Sequence, residues 1–240
     1  SIPIPLLAHD FVELPDGTIA AIVVEYREFE GREIRGDSLV EVDPDGAQRT
    51  IWSAWDCFDP AETSHDEIDH GWTFANALDY DADEDVYYLG LRNFSSIVKI
   101  DRTSGECLWV MGNTSPTLEF SNGANRFLHQ HQFDIHDNRI VIFDNDGSTA
   151  RESRVIEYSI DEDSGIVTKQ WEYSTSPSIF AFVLGDVARR SNDDVLVTWS
   201  VAGQIERVTP TGEVTFQINT NMGYAFGFTT ILDDLYQGGE

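Results

Sequence analysis

At 240 residues the chain is long enough to bury a full core, as one large domain or two small ones. Its 41% hydrophobic and 12% aromatic content make it globular rather than disordered. With 43 acidic and 15 basic residues it carries a formal charge of −28, which repels nucleic acid and anionic membrane surfaces, and it has no run of about 18 apolar residues to insert in a membrane.

The acidic residues are spread through turns rather than gathered in a tail, as expected of a solubilising surface. Lys99 and Lys169 are the only lysines. An anionic substrate would therefore need a local site built from one of the few arginines. Cys57 and Cys107 are the only cysteines. They can form one disulfide in an exported protein or remain two buried thiols, and they are too few for a metal cluster. Ser1 opens no basic-then-apolar leader, and this leaves export undecided.

Helical periodicity is weak along the whole chain. Short alternating or apolar runs, bounded by Gly, Pro, Asp and Asn, predict an all-β fold. One ordered pattern returns: a strand, a tight turn ending in Gly, and a strand with an aromatic residue. It runs Asp43–Gly46 to Trp52, Asp101–Gly105 to Trp109, Asp161–Gly165 to Trp171, and Thr209–Gly212 to Phe216. Units of this length predict four-stranded propeller blades.

The first unit is read as His9–Leu14, Thr18–Tyr26, Ser38–Val42 and Gln48–Trp52. The second is Thr73–Tyr80, Val86–Leu91, Ser96–Asp101 and Glu106–Met111. The third is Gln130–Ile135, Arg139–Asp144, Arg154–Ile160 and Val167–Tyr173. The fourth is Gly185–Arg190, Val195–Trp199, Gln204–Val208 and Val214–Ile218. Tyr224–Leu232 is a further β-like run that either belongs to another blade or closes a ring with Ile2–Leu7. Trp52, Trp109 and Trp171 recur at one blade position and are expected in the core.

In a propeller the first strand of each blade lines the axis, and its start points to one mouth. Those places hold His9, the Phe74/Asn76 pair, His131 and Gly185/Asp186. Residues far apart in sequence are thus expected to converge on one axial pocket. His129 lies two residues from His131 on the same strand and is a candidate to share the pocket. His136 reads as a turn residue, Asp144 and Asn145 as turn chemistry, and Arg154 as structural. The acidic stretch His65–His70 matches no metal-ligand spacing and is expected to be a solvated loop.

These residues resemble the bacterial aryl-sulfate sulfotransferase family. His9-Asp10 with Leu14-Pro15-Asp16-Gly17 is similar to its HD…LPNG segment. Trp72-Thr73-Phe74-Ala75-Asn76, running on to Tyr80, is similar to W-x-H-x-N-x-x-x-Y. Leu91-Arg92, Ile97–Asp101 and Leu108–Gly112 resemble its SxR…I..ID…W.LG run. Gln130-His131, Phe143-Asp144-Asn145, Ser153-Arg154, Glu157-Tyr158 and Trp171-Glu172-Tyr173 resemble QH…FDN…SR..EY…WEY. The resemblance covers most of residues 9–175 and fades beyond.

The resemblance implies a six-bladed, exported propeller enzyme, periplasmic or extracellular. It implies transfer of a sulfuryl group from one phenol to another through a sulfohistidine, with no cofactor and no metal. His131 would be the nucleophile, and Asn76 and Arg92 would hold the sulfuryl oxygens. His9 would bind them or move the proton. Imidazole is a competent nucleophile near neutral pH, and a guanidinium offers fixed donors to an oxyanion.

Two departures bear on this. Phe74 stands where the family has a second sulfate-site histidine, which points either to a weakened oxyanion site or to a changed reaction (lyase, isomerase or hydrolase). Only about four blades are visible in the single domain of residues 1–240. It would be a processed or truncated product, a smaller ring, or one completed by a second chain or another copy. Its partner is expected to be an aryl sulfate or phenolic small molecule. A non-catalytic propeller that binds a ligand or subunit is the alternative of a different class.

Overall fold

The computed structural model describes residues 4, 6–61, 63, 71–121, 126–146, 152–220 and 226–229. The fold is all-β and propeller-like, with four antiparallel sheets following one another along the chain. The first contains β1 (Leu7–Glu13), β2 (Ile19–Phe29), β3 (Arg32–Val42) and β4 (Gln48–Ser53). The second contains β5 (Ala75–Asp81), β6 (Val86–Leu91), β7 (Ser96–Asp101) and β8 (Cys107–Gly112). A two-residue strand, β9 (Glu119–Phe120), comes next. The third sheet is β10 (Phe133–His136), β11 (Arg139–Asp144), β12 (Arg154–Asp161) and β13 (Ile166–Tyr173), with β9 added in parallel to β13. The fourth is β14 (Asp186–Arg189), β15 (Val195–Trp199), β16 (Gln204–Val208) and β17 (Val214–Asn219). Each is an up-and-down meander in strand order.

Three apolar clusters fill the three successive joints. Ala20, Ile22, Leu39 and Trp52 meet Leu89, Leu91 and Ile100 between the first and second sheets. Tyr88, Ile97 and Met111 meet Ile142, Ile156 and Tyr158 in the next, and Val141, Phe143 and Val155 meet Val197 and Trp199 in the last. Burying each large side chain contributes about 1.5–3 kcal/mol, so the joints hold the sheets in sequence. Trp52 and Trp109 are buried, and Trp171 is partly buried against the last cluster. A four-residue helix α1 (Ala54–Cys57) carries Cys57 to Cys107 on β8, and the pair forms a disulfide with Cα atoms 6.4 Å apart. Of the two readings of these cysteines, the disulfide is the one present.

A carboxylate-to-backbone bond recurs at the inner edges. Asp10 Oδ2 accepts Leu78 N at 3.0 Å, Asp134 Oδ2 accepts Arg189 N at 2.6 Å, and Asp186 Oδ2 accepts Thr229 N at 2.8 Å. Residues 226–229 therefore stand to the fourth sheet as β5 stands to the first and β14 to the third. The rest of Tyr224–Leu232 lies outside the described residues, as do Ile2, Pro3, Pro5, His65 and His70.

Three details differ from the sequence reading. The hairpin of β2 and β3 runs out to Phe29 and Arg32, because Glu30 and Gly31 (φ 51° and 75°) make a two-residue turn of the kind that suits the strand twist. The loop after β8 contributes β9. His136 ends β10 rather than sitting in the turn, and its Nε2 lies 2.9 Å from Asp134 Oδ1.

Candidate functional site

The starts of the inner strands share one backbone form. Arg92 N and Asn93 N, just after β6, donate to Phe74 O and Thr73 O at 3.0 and 3.2 Å. Asp146 N, just after β11, donates to Leu128 O at 3.3 Å. This puts Phe74 and His129 in equivalent places, with φ of 48° and 52°. Leu184, ahead of β14, has φ 59°. Such angles are costly for bulky residues, but because Leu184 shares them the strain belongs to the repeat and is not a mark of chemistry. A register shift in β5 follows Phe74 between Ala75 and Ala77 and turns Asn76 inward. In β1 a shift between Leu7 and Phe11 contains His9, whose φ is 46°.

His9, Phe74, Arg92 and His131 come together here. The His9 and Phe74 rings meet edge to face with centroids 4.5 Å apart. The Arg92 guanidinium lies over Phe74 at 5.7 Å. His131 feels the charges of both His9 and Arg92. Its ring is pushed down from 6.5 to about 4, first by burial and then by His9 and Arg92, against the pull of the Gly185 carbonyl. His131 is thus neutral at physiological pH. Its Nδ1 lies 3.1 Å from Gly185 O. A carbonyl only accepts, so Nδ1 carries the hydrogen and Nε2 keeps its lone pair.

Gly185 is required at its place: it sits at φ 109°, and a Cβ there would lie 2.2 Å from the Phe143 ring. Arg92 is half-buried, and that burial pulls its pKa down while Asp146 pulls it up. Among the described residues it makes one side-chain hydrogen bond, to Asn93 Oδ1 at 3.3 Å, and no ion pair within 4.0 Å. In a chain this acidic, an arginine with no carboxylate oxygen within 4.0 Å among the described residues has donors to offer an anion.

The other two predicted residues are placed differently. Asn76 is 1% exposed and donates from Nδ2 to Gln130 O at 2.9 Å, tying the second sheet to the third, while its Oδ1 is buried without a partner. His129 lies more openly, with Nδ1 at 3.9 Å from Asp146 Oδ2, and its backbone N–H donates to Ser95 Oγ at 3.0 Å. Asp10 is a further residue that supports the site. It accepts Leu78 N and Gln132 Nε2, both at 3.0 Å, and so braces the segment bearing His9 against the second and third sheets. Its place directly after His9 was the available signal. Among the described residues no three His, Cys, Asp or Glu side chains are grouped to hold a metal ion.

The sequence profile of the arylsulfotransferase (ASST) family matches residues 4–226. The chain belongs to this family. No curated protein sequence matches it. In fold, this ASST-family chain is similar to a virginiamycin B lyase from Staphylococcus aureus, with TM-score 0.51 and 11% identity, covering 90% of this chain and 57% of that one. It is also similar to an auxiliary nutrient binding protein from Bacteroides ovatus, with TM-score 0.50 and 10% identity, covering 86% and 46%. At these identities the likeness is one of fold. The chain spans little more than half the length of that lyase. No helix among the described residues is long and apolar enough to cross a membrane.

Proposed function

We propose that this chain carries the site of an aryl-sulfate sulfotransferase that works through His131. The observation that carries the reading is the His131 ring itself: neutral, with Nδ1–H committed to Gly185 O and Nε2 left to react, beside an arginine that has no ion pair among the described residues. In the first half-reaction Nε2 attacks the sulfur of an aryl sulfate. The N–S bond forms, the aryl O–S bond breaks, and the phenoxide leaves with a proton from His9. In the second, an incoming phenol gives its proton to His9, its oxygen attacks sulfur, and the N–S bond breaks. Arg92 balances the charge on the sulfuryl oxygens in both steps. Asn76 contributes by fixing the joint between the sheets and by its remaining amide hydrogen, and His129 stands at the rim. No cofactor or metal takes part in this scheme.

The four sheets are read as blades of a larger propeller, six in number by family resemblance. The Asp186–Thr229 bond supports a fifth blade beginning at 226–229, and a second chain or further residues would close the ring. The Cys57–Cys107 disulfide supports an exported, periplasmic or extracellular protein. A second reading, a changed reaction at the same pocket, draws on Phe74. It brings a ring rather than a donor to His9 and Arg92. Incubation with an aryl sulfate and a phenol separates the two. Phenol release with sulfation of the acceptor supports transfer, and neither product would sink it. A His131→Ala protein that retained all activity or ligand binding would refute the site, leaving a non-catalytic binding module.

A further inference from the structure

Asp144, Asn145, Ser153 and Arg154 are all buried beside the site. They form two separate grips. Arg154 donates from Nε to Asp144 Oδ2 at 2.9 Å and from Nη2 to Arg126 O at 3.1 Å, and Asp144 Oδ1 accepts Leu128 N at 2.9 Å. That pair holds the backbone leading into His129 and His131. Asn145 donates from Nδ2 to Ala181 O at 2.6 Å and to Leu184 O at 2.7 Å. Ser153 Oγ accepts Ala181 N and donates to Asn145 O, both at 2.8 Å, and Ser153 N donates to Ile179 O at 2.9 Å. This second pair holds the segment 179–184. The next carbonyl along that segment is Gly185 O, the partner of His131 Nδ1.

Asn145 spends its amide hydrogens on this loop while its Oδ1 is buried without a partner. An asparagine kept for turn chemistry would point that oxygen at a nearby backbone N–H. Leaving it orphaned is a cost, and the two donated bonds are what it secures. Asn145 also stands in the third sheet where Arg92 stands in the second, since Asp146 N and Asn93 N make matching bonds to Leu128 O and Thr73 O. One place in the repeat thus carries an open guanidinium in one sheet and a committed amide in the next.

We propose that Asn145 and Ser153 are positioning residues: through the 179–185 loop they hold the Gly185 carbonyl at His131 Nδ1 and so keep the reactive lone pair on Nε2. The tautomer part stands on geometry alone, and its value for catalysis rests on the reading of His131 as nucleophile. The test is long-range ¹H–¹⁵N correlation on protein labelled with ¹⁵N-histidine, with His131 assigned by its loss in His131→Gln. The native protein shows the Nδ1–H form. Asn145→Ala and Ser153→Ala shift His131 toward Nε2–H, and Ser153→Thr, which keeps the hydroxyl, restores the native form. In the two alanine variants kcat for sulfuryl transfer falls at least about tenfold, with KM within about twofold. A His131 that stays Nδ1–H in both variants, whatever their melting temperatures, overturns the proposal. If Asn145→Ala does not fold, Ser153→Ala decides alone. A native protein that transfers no sulfuryl group refutes the reaction, while the tautomer spectra still judge the positioning.

Discussion

Phe74 and His129 occupy the same place in adjacent sheets, with φ of 48° and 52° and matching bonds to the following turn, yet they serve different ends. Two residues on, Asn76 is sealed into the joint between sheets, whereas His131 sets its Nδ1 against the Gly185 carbonyl. The repeat therefore decides where a side chain stands, and its identity decides what it does there. In the proposed reading the chemistry is concentrated at the third sheet's entry, and the second sheet's entry supplies a ring, a bridge and the nearby Arg92.

The comparison breaks most sharply at His131. His131→Ala is expected to lower sulfuryl transfer on the order of 10³–10⁴-fold with folding retained, measured as kcat with an aryl sulfate donor. Arg92→Ala follows, with a loss on the order of 10²–10³-fold in kcat/KM, read by the same assay. Exchanging the equivalent residues sharpens the contrast further. Phe74→His adds a donor beside His9 and Arg92 and is expected to raise the transfer rate about tenfold, whereas His129→Phe lowers it by less than about threefold. Equal effects from the two exchanges would mean that the sheets contribute alike.

The smallest effect concerns stability. The Asp186 carboxyl is pushed up to about 6, first by burial and then by Asp10 and Asp134, against help from Thr229 N and Val187 N. A folded value above the ordinary 3.8 means that the folded state holds the proton more tightly. The stability this contributes is full below about pH 4 and is lost as the pH rises through 6. Asp79, also raised to about 6 by burial, adds in the same direction. Asp186→Asn keeps an acceptor for Thr229 N and cannot titrate. It is expected to gain on the native protein by on the order of 1 kcal/mol between pH 4 and 7, measured by thermal melts.

Most strands were legible because each run of alternating side chains ends at an Asp- or Gly-bearing turn, as at Asp101–Gly105. The outer half of the β2–β3 hairpin was not, since Arg27, Glu28, Arg32, Glu33 and Arg35 mask the alternation, although Ile34 is buried in the first cluster and Phe29 packs against it. Repeat positions led to the expectation that His9, the Phe74/Asn76 pair and His131 converge, and Arg92 joined them only through the family resemblance. The bond from Asn76 to Gln130 O across the joint was not legible, because a one-residue shift in the ladder redirects a side chain without a trace in the pattern. The disulfide and the Asn145 grip depend on contacts 50 and 36 residues apart, which no local spacing encodes.

The most direct measurement is intact and peptide mass after brief exposure of the protein to an aryl sulfate without acceptor. The account predicts one added sulfuryl group, about 80 Da, on the peptide carrying His131, discharged when a phenol is supplied. Phenol release with no adduct on His131, or with the adduct on another residue, would contradict it.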